Sequence, residues 1–164
     1  MAKLKEAVAG NSGPKGDVQQ LPEDWARDIE TCIPEGERLL GIEDRDNLTS
    51  DEVHQQIFAW MHERWQSAQP VDDEEYETVI APLACVWGAE ICQELDWEWG
   101  WVKVEGGDGP AIVDRDRSTV VYLFQYFRDS IHDKESVPAT FALRIMLRDG
   151  VWPNAGPGDY FVIG

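Results

Sequence analysis

At 164 residues, with 43% hydrophobic content and eight tryptophans, the chain is long enough to bury one substantial core and too short for two ordinary domains. Its 32 acidic residues against 14 basic ones give a formal charge of −18, a field that repels nucleic acid and anionic membranes and speeds encounter with a basic partner. Direct nucleic-acid binding and membrane association are therefore not expected, and the absence of both a run of roughly 18 apolar residues and an apolar segment behind the opening lysines points to the cytoplasm.

The charge is unevenly spread. Residues 1–15 carry a net +2, residues 16–100 hold 22 acids and four arginines for a net −18, and residues 101–164 a net −2. The first twenty residues, with Gly10, Gly13, Pro14 and Gly16, read as a flexible lead-in, and one domain is expected over 21–164.

LPEDWARDIETCI predicts a first helix, with Trp25, Ile29 and Ile33 at spacing four, ended by Pro34 and Gly36. An apolar connector with Leu39, Leu40 and Ile42 follows. NLTSDEVHQQIFAWMHERWQSA carries the clearest helical signature: Thr49 or Ser50 as cap, Asp51 and Glu52 in the first turn, and Val53, Ile57, Trp60, Met61 and Trp65 along one face. VDDEEYETVIAPLACVWGAEICQELD keeps a helical period from Tyr76 to Leu95, with Pro82 predicting a kink or a start just before it. Then the period falls to two. Trp97–Val104 alternates, GGDGP is expected as a hairpin turn, and AIVD and STVVYLF complete a three-stranded antiparallel meander around the turn DRDR. FQYFRDSIHD and PATFALRIMLRDG predict two further helices, and the tail a short strand. The expected fold class is α+β, with N-terminal helices packed on a small antiparallel β-meander and C-terminal helices after it.

DWEWGWVKV places Trp97, Trp99 and Trp101 on one face of its strand and Val102 and Val104 on the other, with Gly100 marking a bulge or a close backbone approach. The rings are expected mainly to fasten the sheet to the helices, an aromatic binding platform at one end being the alternative.

No catalytic signature emerges. His54 and His62 lie about two helical turns apart, too far to share a metal ion, and are expected on a solvated face. His132 beside Asp133 has no serine or cysteine framing it, and VEGGDGPA lacks both the lysine of a phosphate loop and the ligand spacing of a calcium loop. No cofactor and no metal site is expected. Of the three cysteines, Cys85 and Cys92 are too far apart on one helix to be bridged, and the odd count argues against a disulfide framework.

The stretch PLACVWGAEICQELDWEWGWVKVEGGDGPAIV, continued by VVYLFQYFRDSIHD, resembles a family of small bacterial proteins of unassigned function over residues 82–133. The matching positions are Gly88, Glu90, Leu95, Trp101, Val102, Val104, Glu105, Gly109 and Phe124. By size and charge the chain also resembles acidic bacterial toxin-immunity proteins, which implies a non-enzymatic inhibitor of a cognate toxin. The expected function is a cytoplasmic binding protein that neutralises a basic protein partner, with Asp72, Asp73, Glu74, Glu75 and Glu77 as the contact residues and Glu43, Asp44 and Asp46 as their neighbours. The alternatives are a nucleic-acid mimic that inhibits a DNA-binding enzyme, and an enzyme with a carboxylate site among Glu90, Glu94, Glu98, Glu105 and His132.

Overall fold

The computed structural model describes residues 12–14, 18–67, 69–104, 107–132, 136–149 and 159–163. Within them the chain is α+β, with helices laid on one face of a six-stranded sheet. Among the described residues no helix is long and apolar enough to cross a membrane.

Helix α1 (Glu23–Leu39) starts behind Pro22 with Glu23 and Asp24 in its first turn, where acids suit the macrodipole. It does not end at Pro34 and Gly36 as expected but runs through both. Gly36 is buried, and a Cβ there would lie 2.6 Å from Val86 Cγ2 and 2.8 Å from the Pro82 carbonyl carbon. Its missing side chain serves a helix crossing, so it does not act as a stop. The stop is Gly41, at φ +70°, where the Gly41 N–H donates to the Arg38 carbonyl (3.1 Å) and the Ile42 N–H to the Glu37 carbonyl (2.9 Å) in a Schellman arrangement.

Helix α2 (Ser50–Gln66) is set by a capping box: the Glu52 N–H donates to Thr49 Oγ1 (3.2 Å), and the Thr49 N–H donates to Glu52 Oε2 (2.7 Å). Val53, Ile57 and Met61 are buried along one face. So is His54, contrary to the solvated position expected of it, because it lies on the same side of the helix as Ile57 and Met61. His62 is only partly buried and stacks on Phe58.

Helix α3 (Ala81–Leu95) is entered through a single turn at Asp73–Glu75 and a π-helical stretch, Tyr76–Ile80. Pro82, near the start of α3, has no N–H to return to an earlier carbonyl, and the wide turn falls where the α-ladder would lose that bond. Pro82 to Gly88 are all buried, as are Glu90 and Ile91, so the first two turns of α3 are covered around their whole circumference and α3 is the central helix.

β3 (Glu98–Val104), β4 (Gly107–Val113) and β5 (Thr119–Val121) form the expected antiparallel meander. Gly100 pairs in register with Ala111, without a bulge. β4 begins at Gly107, so most of GGDGP lies in the strand and two residues link the paired Val104 and Gly107. α4 (Leu123–His132) and α5 (Ser136–Asp149) lead to β6 (Asp159–Ile163), which runs parallel to β5. β1 (Ser12–Pro14) pairs antiparallel with β6, and β2 (Val18–Gln19) antiparallel with β3. The sheet therefore recruits residues 12–14 and 18–19 from the stretch expected as a lead-in. Backbone pairing of such short polar segments leaves no apolar alternation to read.

This strand order, β1-β6-β5-β4-β3-β2, constrains the shape. A flat sheet would hold its two edges about 24 Å apart. Four peptide steps from Pro14 to Val18 reach at most about 14 Å. The sheet must curl until β1 and β2 approach, and its strand directions agree: β1 and β2 run the same way, so that together they count as one interrupted strand in a ring of five, and an odd ring requires one parallel pair, here β5 with β6. Among the described residues, Val102, Val104, Ala111, Val113 and Val120 form a cluster on the inner face, against which Val18 and Tyr122 pack. The outer face puts Trp99, Ile112, Val121 and Ile163 against helix residues Ile57, Trp87, Phe127 and Leu143.

The tryptophan ladder lies on this outer side, and all three rings are half-buried. Trp99 covers Gly88 of α3, where a Cβ would come within 2.5 Å of the indole. Trp101 meets Trp25 edge to face at 6.0 Å and donates its indole N–H to Asp108 (2.7 Å). Replacing Gly36 by Ala should lower stability by about 2 kcal/mol in urea denaturation, because the Pro82 backbone cannot give way. Gly109→Ala, with open space around the new methyl, should change it by less than about 0.5 kcal/mol.

Candidate partner-binding surface

The geometry of the surface follows from where the positive charges go. Three arginines sit between helices. Arg45, in a short 3-10 turn (Arg45–Asn47), donates from Nε to Glu37 of α1 (2.8 Å) and from Nη1 to Glu90 of α3 (2.5 Å). Glu90 is 6% exposed, so the pair is almost out of water. Arg64, near the end of α2, grips both carboxylate oxygens of Glu75, Nη2 donating at 2.7 Å, while Nη1 donates to Ser67 Oγ (2.7 Å) and the Gln69 carbonyl (3.0 Å). Arg144 of α5, 2% exposed, makes a fork on Glu94 of α3 (2.8 and 2.6 Å) and reaches Asp51 of α2 with Nη1. Ser50 Oγ adds a hydrogen bond to Glu94 (3.1 Å).

At Glu75, Asp51 and Glu94 these contacts favour the ionised carboxylate. Hydrogen bonding to Arg64 lowers the Glu75 carboxyl below its usual range, burial opposing it weakly. Arg144 does the same to Asp51. At Glu94 burial is the largest influence and would raise the carboxyl, but the hydrogen bonds and charge of Arg144 together with the Ser50 hydrogen bond bring it below its usual range. Beside this cluster lies His54, whose Nδ1–H donates to the Ser50 carbonyl at 2.7 Å. A carbonyl only accepts, so Nδ1 carries the proton, and Nε2 is left as an acceptor without a partner among the protein groups. Burial, reinforced by Arg144, pushes the imidazole down to about 4.

The exposed carboxylates are what remains. Asp72, Asp73, Glu74 and Glu77 are exposed around the start of the helical stretch that becomes α3, and Glu43, Asp44 and Asp46 are exposed ahead of α2. Not all are free for a partner. Glu75 is half-buried under Arg64; Asp72 caps the turn by accepting the Glu75 N–H (2.8 Å); Asp44 caps the 3-10 turn by accepting from the Asp46 N–H (3.1 Å) and Asn47 Nδ2 (2.7 Å). The side chains of Asp73, Glu74 and Glu77 take no such part. The two acidic groups flank α2 at opposite ends, and its 17 residues span about 25 Å. They are two separate groups and do not form one cluster.

Of the carboxylates considered for an enzymatic site, Glu90, Glu94 and Glu98 do not converge on a common point. Glu90 and Glu94 are held by different arginines, and Glu98 is exposed and accepts from Arg117 (2.7 Å). Glu105 and the His132 side chain fall outside the described residues. Among the described residues no three His, Cys, Asp or Glu side chains are grouped to hold a metal ion. No family model, curated protein or solved structure matches the chain, so its function must be argued from this geometry.

Sequence reasoning missed the three arginines because their partners lie 8 to 93 residues away, beyond any local spacing rule. For Arg45 and Arg64 the one available signal was scarcity: only four arginines stand among the 22 acids of residues 16–100. Arg144→Met should cost about 3 kcal/mol of unfolding free energy, since it leaves Glu94 charged and largely buried. Arg115→Ala, which breaks an exposed pair with Asp96, should cost less than about 1 kcal/mol in the same urea titration. The His54 imidazole is lower in the folded than in the unfolded chain, so the unfolded state binds the extra proton between pH 6.5 and about 4. Stability should fall across that window by about 3 kcal/mol, and His54→Gln should flatten the slope when denaturation is repeated at successive pH values.

Proposed function

We propose that the protein is an inhibitor that binds a basic protein partner, by the charge balance and size of the chain an immunity protein occluding a cognate toxin. The observation that carries this reading is the segregation of charge. Arg45, Arg64 and Arg144 are used between helices, with side chains 20%, 17% and 3% exposed, while Asp73, Glu74 and Glu77 stand in water without an internal cation. A surface left so uncompensated raises the rate of encounter with a cationic partner and rejects anionic ones. The carboxylates beside it are already ordered: Asp72 fixes the turn and Arg64 fixes Glu75, so little side-chain freedom is lost there on docking.

The test is association with the product of the neighbouring gene in the source genome, followed by stopped-flow mixing at several salt concentrations. A complex should form with an association rate that falls steeply with salt. Asp73→Lys, Glu74→Lys and Glu77→Lys together should slow association about tenfold at low salt and flatten the salt dependence, with thermal stability unchanged. An association rate indifferent to these reversals would remove this surface from the interface. Absence of a complex with any basic neighbour would remove the proposed function.

A further inference from the structure

Where α1 crosses α3 the two backbones meet at Gly36, whose absent side chain admits the Pro82 carbonyl and the Val86 methyl. One helical turn before Gly36, on the same stripe of α1, is Cys32; between Pro82 and Val86, on the stripe of α3 that faces α1, is Cys85. The crossing therefore brings two cysteines from residues far apart in sequence to face each other, near enough for each thiol to alter the acidity of the other. Backbones in such close contact provide the short Cα separation that a disulfide needs. The third cysteine, Cys92, lies about two turns further along α3 and cannot reach Cys85.

We propose that Cys32 and Cys85 form an oxidation site, at which a hydroperoxide converts the reduced pair to a disulfide that locks α1 onto α3. The two thiols are unequal in the way this chemistry requires. Cys32 is partly exposed and Cys85 is buried. The neighbouring Cys85 lowers the Cys32 thiol, with burial and the nearby Glu35 and Asp28 opposing it, whereas Cys32 and burial push the Cys85 thiol up. Cys32 is thus the nucleophile and Cys85 the resolving thiol. The Cys32 sulfur attacks one peroxide oxygen and breaks the O–O bond, giving a sulfenic acid; the second oxygen leaves with a proton as water, or as an alcohol from an organic peroxide. The Cys85 sulfur then attacks the Cys32 sulfur, the S–O bond breaks, and the departing hydroxide takes the Cys85 proton as a second water. Two thiols are oxidised and one peroxide is reduced.

The test treats the reduced full-length protein with stoichiometric hydrogen peroxide, alkylates the remaining thiols and maps peptides without reductant. The expected product has lost the mass of two hydrogens, links the Cys32 peptide to the Cys85 peptide, and leaves Cys92 alkylated. Cys85→Ala should instead accumulate sulfenic or sulfinic acid at Cys32, and Cys32→Ser should lower the rate of thiol loss at least tenfold. Wild-type protein that retains three alkylatable thiols, or that forms intermolecular dimers through Cys92, would overturn the proposal. So would Cys32 reaching the sulfinic state while Cys85 is intact.

Discussion

The burial of the first two turns of α3 on every side is the constraint on which the rest of the molecule depends. A helix apolar around its circumference cannot lie on a surface, so other elements must enclose it. α1 lies against it at Gly36, α2 and α4 contribute Ile57, Met61 and Phe127 to the same core, and the sheet closes the remaining side by laying Trp99 over Gly88. Both glycines are places where a methyl would force the neighbours apart. The close packing of this helix is set as much by missing side chains as by large ones.

Apolar contact does not by itself fix how the helices align. The arginines supply that. Each bridges elements that the core already brings together: Arg45 joins the end of α1 to α3, Arg64 joins the end of α2 to the turn before α3, and Arg144 joins α5 to both α2 and α3. Buried ion pairs contribute little net stability compared with an apolar replacement, but a wrong alignment would leave a charge in the interior without its partner, and that is costly. They act as registration marks. Tyr76 has a similar role at the entrance to α3, donating to the Phe124 carbonyl (2.8 Å) while Arg128 lies over its ring. The acidic field that a partner would meet comes from the excess of carboxylates over cations in the chain, 32 against 14, and not from these pairs, which draw five carboxylates in with three arginines.

What the sequence revealed and what it hid divide along a physical line. Features decided within a few residues were legible: the capping box at Thr49, the period of α2, the change to alternation at Trp97, and the meander from β3 to β5. Features decided by contacts across the chain were not. Pro34 and Gly36 have the composition of a helix stop, yet α1 continues, because burial of Gly36 against α3 outweighs the cost of one lost hydrogen bond. His54 has the polarity of a surface residue, yet its place beside Ile57 and Met61 draws it inside and lowers its affinity for a proton. Of the candidate contact residues, Asp72, Asp44 and Glu75 also have structural duties, which a run of acids cannot disclose. β1 and β2 were invisible because backbone hydrogen bonding asks nothing of side chains.

The curled sheet bears on where the proposed partner would dock. A ring of strands can either enclose a ligand or fill itself, and the choice depends on what its inner face carries. Here the inward residues Val102, Ala111, Val113 and Val120 are wholly buried against one another, and the Tyr122 hydroxyl reaches across to donate to the Val102 carbonyl at 3.0 Å. Among the described residues, valine, alanine and one tyrosine that reaches across line the inside of the ring, with open space beside Gly109. The outer face is committed to the helices through Trp99, Ile112 and Val121. With both faces of the sheet spent on packing, the sheet works as the support for the helix layer, and a macromolecular partner would meet the helix ends and the turns between them, where the unpaired carboxylates stand.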